Sequence, residues 1–145
     1  MRNLKRMISE NLSNIHVEIR GQVKDKKRII KYTRSVIHYF MPRLRRNIIV
    51  DINFKKDLGG DFGYCMGSKD HIEIEIGKYN LSHDKMMLTL AHELIHAKQF
   101  LKGELSPTLR NWKSHPMPHV PYSRSPWERE AYKKEEFIWD MFWVK

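Results

Sequence analysis

Cysteine is nearly absent from this chain: Cys65 stands alone among 145 residues. No internal disulfide can form, zinc sites built on several thiolates are excluded, and a reducing compartment is the simpler expectation. No apolar run approaches the roughly 18 residues of a membrane span. The opening stretch, MRNLKRMISENLSNIH, is basic but lacks the apolar centre of a signal peptide. The expectation is a cytoplasmic protein that is neither secreted nor engaged with a membrane. Acidic residues are also scarce at one end. Residues 1–46 carry 13 Lys/Arg against Glu10, Glu18 and Asp25, while residues 47–145 carry 14 of each sign. The net charge of +10 therefore belongs to the N-terminal third. That third is a candidate surface for nucleic acid or an acidic partner. A solvated helix face explains the charge as well, and no DNA-binding motif accompanies it.

Glycine and proline are few and clustered, which punctuates the chain. The length suits one domain, 1–145, with a core of its own. IHVEI at 15–19 alternates and predicts a short strand. Residues 25–40 place Ile29, Ile30, Val36, Ile37 and Phe40 near one helical stripe that Pro42 ends. NIIVDINF at 47–54 reads as a strand, and the glycine-rich DLGGDFGYCMG at 57–67 as a turn or hairpin. HIEIEI at 71–76 alternates strictly, with Ile72, Ile74 and Ile76 on one face, and predicts a strand near a sheet edge. Residues 83–102 carry an apolar helical pattern, with Ser82 or His83 before the start, Asp84 in the first turn and Gly103 past the end. Five of the six prolines fall between 104 and 126, an extended loop. Pro126 then suits the first position of a last helix. Its aromatic end, Phe137, Trp139, Phe142 and Trp143, reads as core or interface. The class is α+β.

Within the predicted 83–102 helix lies LTLAHELIHAKQF. His92 and His96 are four apart, so both project from one helix face and can offer imidazole nitrogens to one ion. Glu93 is turned about 100° from His92, beside such an ion rather than on it. That is where a base for an activated water belongs. Lys98 and Gln99 read as helix surface.

A catalytic zinc needs a third protein ligand and leaves one position open. The pattern H-E-x-x-H-x-x-G-x-x-H is not met, because Gln99 stands at its glycine and Lys102 at its third histidine. A glutamate from the last helix is the other solution, and PWEREAY offers Glu128 and Glu130. Glu128 opens an E-x-x-A pattern ending at Ala131, a small residue that allows two helices to approach closely.

HELIH followed by E-x-x-A resembles the gluzincin branch of zincin metallopeptidases. The run AHELIHAKQ…NWKS…PYSRSPWEREAY is similar to small metallopeptidase-like proteins encoded by bacteriophages, over roughly residues 70–135. The resemblance implies a minimal zincin-like domain in which Zn2+ is held by His92, His96 and Glu128. It implies Glu93 as general base in peptide-bond hydrolysis. Glu130 is the reserve ligand among the residues of the last helix, its plainer reading a solvated helix charge. Gluzincins often carry Asp or Asn one residue beyond that alanine; Tyr132 stands there, so the support of the histidines must differ. The resemblance also implies that the strand before the metal helix, Ile72, Glu73, Ile74 and Glu75, pairs with an extended substrate. His115, His119 and Tyr122 in the loop are candidate oxyanion donors. The alternative is a binding module of the same fold with a non-catalytic zinc, docking on nucleic acid or an acidic protein through residues 1–46.

Overall fold

Alternation along two isoleucine-rich runs builds the sheet. Ile48, Val50, Ile52 and Phe54 are buried while their neighbours are not, and Ile72, Ile74 and Ile76 repeat the pattern. The computed structural model describes residues 14–117 and 125–145. Strands β1 (Ile15–Arg20), β2 (Ile48–Lys55) and β4 (His71–Gly77) run parallel, and β3 (Gly63–Gly67) pairs antiparallel with β4. The order across the sheet is β1-β2-β4-β3. Among the described residues three helices accompany it: α1 (Lys26–Phe40), α2 (His83–Leu101) and α3 (Pro126–Trp139), the last continued by a π-helical turn at Asp140–Val144. The inward isoleucines join Leu90, Leu94 and Ile95 of α2 in the core. Each such side chain contributes about 1.5–3 kcal/mol on burial. The class is mixed α+β, as expected.

The strand at 71–76 is not an edge. β4 is bonded on one side to β2 and on the other to β3, so Ile72, Glu73, Ile74 and Glu75 have no free backbone edge to offer a peptide. The alternation reports which face of the sheet is wet, and that face is wet across the sheet: Ile49 on β2 and Met66 on β3 are exposed beside it. The edge on the β4 side of the sheet is β3, inside the segment read as a turn or hairpin, and β1 is the other edge. Gly59 and Gly60, at φ +66° and +99°, supply the turn that brings it back along β4.

Helix α2 starts at Ser82, whose hydroxyl accepts a hydrogen bond from the Lys85 N–H at 3.2 Å. From Thr89 to Leu101 every residue of it is buried, because α3 packs along it and the sheet lies against it. Lys98 and Gln99 are therefore interior, not surface as the pattern suggested. Pro126 occupies the first turn of α3, capped by Ser125, so Glu128 falls in that turn, fully buried against α2. At the C-terminal end Trp143 is core, under the Arg28 guanidinium at 3.8 Å, whereas Phe137 is exposed. Of the N-terminal cations, Arg34 donates to Ile15 O, and Arg46 to Lys69 O and Leu101 O. With Arg28, these serve internal contacts. Residues 1–13 lie outside the described residues.

Candidate metal centre

Helix α2 presents His92 and His96 one turn apart, and the first turn of α3 brings Glu128 across to them. One ligand atom from each lies within 4.8 Å of the others, and all three residues are buried. Glu128 Oε1 contacts His92 Nε2, and its Oε2 lies 3.2 Å from His96 Nε2. The far nitrogens are held separately. His92 Nδ1–H donates to Glu135 Oε2 at 2.9 Å, and His96 Nδ1–H donates to Gln99 Oε1 at 2.7 Å. Both acceptors are oxygens, so both Nε2 atoms turn to the shared point, ready as lone pairs once neutral.

The group passes a test of fit to a cation. His96 Nε2 and Glu128 Oε2 are fully buried and face each other at 3.2 Å, with no hydrogen bond to any third group. An ion between them would engage both lone pairs at once. A buried group of two imidazoles and a carboxylate able to hold a metal ion is thus present. A second group, Asp51, His71 and Glu73, lies exposed on the open sheet face.

Glu93 belongs to no ligand group. It is buried where two cavities meet, and burial pushes its carboxyl up to about 7, against the pull of His96 and His92. β3 comes close over it only because residue 63 is glycine. A Cβ there would stand 2.8 Å from Glu93 Oε2 and 2.8 Å from Thr89 Cγ2. Gly63→Ala must therefore shift the Glu93 carboxylate, Thr89 or β3 itself. The expected result is a loss of about 1–3 kcal/mol of stability with metal content unchanged, read by thermal melting beside elemental analysis.

Glu130 is placed elsewhere. Lys98, Lys134 and the Gln99 amide all donate to its carboxylate, and against the effect of burial they hold it down at about 2. It is committed to an ion network and not to the centre. His115 is exposed on a two-residue strand and lines neither cavity at the centre. His119 and Tyr122 lie outside the described residues.

Four contributors escaped the sequence reading. Gln99 ties His96 to α3, since its Nε2 also donates to Trp127 O at 2.9 Å, next to Glu128. Glu135, two turns after Glu128, accepts the hydrogen bond of His92 Nδ1–H. Tyr132 lays its ring edge-on to His92 at 4.6 Å and lines the cavity. Gly63 is the fourth. Helical spacing could have found Gln99 at three residues from His96 and Glu135 at seven from Glu128; nothing local marked Gly63. Compared with protein-family models, curated proteins and solved structures, the chain matches none.

The same charges make metal uptake depend on pH. Burial lowers an imidazole, but bonding to Glu128 and the neighbouring Glu93 outweigh it, so His92 and His96 are raised above 6.5. Burial would raise Glu128, but the two imidazoles hold it at about 2. Raised groups stabilise the fold below their unfolded pKa and lose that contribution as pH rises. Glu93 loses it between 4.5 and about 7, and the histidines above 6.5. The depressed Glu128 stabilises above 4.5, and that contribution goes as pH falls toward 2. Metal-free protein is therefore expected to melt at progressively lower temperature as pH rises from about 5 through 7. The gain in Tm on adding zinc is expected to grow over the same window, because the ion displaces protons. Calorimetry with and without zinc checks both slopes.

Proposed function

We propose that this chain is a zinc-dependent peptidase of the gluzincin kind, acting on an extended peptide with Glu93 as general base. One conjunction carries the reading. Two buried ligand atoms that meet only each other, His96 Nε2 and Glu128 Oε2, adjoin a buried carboxylate that belongs to no ligand group. A purely structural ion has no use for Glu93. Two imidazoles and one carboxylate suit zinc better than the hard cations, which take oxygen donors. His92, His96 and Glu128 would hold it; bound there, it acidifies water and polarises a carbonyl oxygen.

The remaining work falls to the chain. Glu93, set near neutrality by burial, can take a proton and return it to the departing amine. The outer edge of β3 is unpaired among the described residues and offers backbone groups to an extended segment. That moves the substrate-pairing role from β4 to β3. Tyr132 lines the cavity beside His92 and can donate its hydroxyl to a developing oxyanion.

The test is hydrolysis of a mixed peptide library by protein carrying one equivalent of zinc, read by mass spectrometry. Cleavage is expected to stop on chelation and return with zinc. A protein that takes up no zinc on titration would sink the reading.

A further inference from the structure

Two cavities open onto the centre from opposite sides, and their chemistry differs. The one beside His92, of about 540 Å³, is the more polar of the two but mixed, lined by Asp61, Lys85, Thr89 and Glu135 and also by Phe62 and Leu88. The one beside His96, of about 360 Å³, is lined by Met66, Phe100, Leu105, Leu109 and Trp127. Both include Tyr64, Glu93 and Glu128, so together they form one cleft crossing the centre with a mixed, more polar end and an apolar end. We propose that the apolar end seats a large apolar side chain of the substrate, and that the bond cut lies on the carboxyl side of that residue. The proposal rests on the peptidase reading and names its substrate class: segments carrying Phe, Leu or Met just before the scissile bond.

The direction comes from β3. The strand passes from Gly63, at the polar cavity, to Met66, at the apolar one. A segment added to its free edge in the more stable antiparallel sense enters over Met66 and leaves over Gly63. The residue above the apolar cavity thus precedes the one above the polar cavity.

Leu109 supplies an independent observation. Its backbone sits at φ +63°, a left-handed conformation rare for a bulky residue, and its side chain is 47% exposed at the mouth of the cavity. Burial does not offset that strain in the free protein. Hydrogen bonds hold the loop in this shape: Leu109 N–H donates to Ser106 O, and the Ser106 hydroxyl accepts from the N–H groups of Arg110 and Asn111. A strained apolar side chain kept at a cavity rim fits a role in closing over a ligand.

Two measurements test this. In the first, zinc-loaded Glu93→Gln protein is titrated with blocked peptides differing at one position, Phe or Ala, and binding is read by tryptophan fluorescence, to which Trp127 in the cavity wall contributes. The Phe peptide is expected to bind about 10- to 100-fold more tightly. In the second, wild-type protein and the variants Leu109→Asn and Leu109→Gly, both compatible with the left-handed backbone, digest a peptide library. Wild-type cuts are expected to follow Phe, Leu or Met. In the variants that preference is expected to fall toward parity, with metal content retained and with a higher Tm for Leu109→Gly.

Cuts without preference, or with the apolar residue after the cut, overturn the inference and leave the peptidase reading standing. An unchanged preference in both variants overturns the role of Leu109. Phe-selective binding with no hydrolysis of any peptide by the wild type overturns the peptidase reading and upholds the apolar seat.

Discussion

Replacing Glu128 with alanine is expected to strip the protein of stoichiometric metal, while Glu130→Ala leaves about one ion per chain. The two residues sit two apart on α3, yet their surroundings are opposite. Glu128 is wholly buried and reaches both histidines. Glu130 is enclosed by Lys98, Lys134 and Gln99. Losing a partner that merely supports a ligand costs about 10- to 100-fold in metal affinity. Losing one of three ligands must cost more. Elemental mass spectrometry on protein purified without chelator decides it. Equal metal in both variants would show that Glu128 is not a ligand.

Glu93→Gln is expected to lower peptide hydrolysis by about 10²- to 10⁴-fold, the range of a lost acid–base group, with metal content unchanged. The amide keeps the shape of the carboxylate, so the contact with Gly63 and Thr89 survives, but it cannot take a proton at neutral pH. Kinetics and elemental analysis on one preparation separate the two effects. A variant that still turns over at the wild-type rate would remove Glu93 from the chemistry.

The sequence was informative wherever a periodicity carried the physics. The i and i+4 histidines, the capped start of α2 and the proline start of α3 follow local rules, and the structure brings His92, His96 and Glu128 together accordingly. The edge of the sheet was misread for a reason equally physical. Ile72, Ile74 and Ile76 tell which face is buried, but no residue of a strand says whether its neighbours are on one side or both. The edge strand beside β4, GYCMG, begins and ends with glycine and has little intrinsic preference for a strand. Lys98 and Gln99 were misplaced because burial of a polar residue depends on what packs over it, and α3 is remote in sequence. The Gln99 bonds to His96 and Trp127 belong to that same packing.

The union of α2 and α3 at the centre also bears on a feature of composition. His92 and Glu128 are 36 positions apart. An ion held between them closes the intervening chain into a loop, as a disulfide would. In chain-entropy terms such a closure removes about 3–4 kcal/mol of freedom from the unfolded ensemble. A protein with a single thiol cannot make that link covalently, and here the same restraint would be reversible, set by zinc supply and pH instead of by redox state.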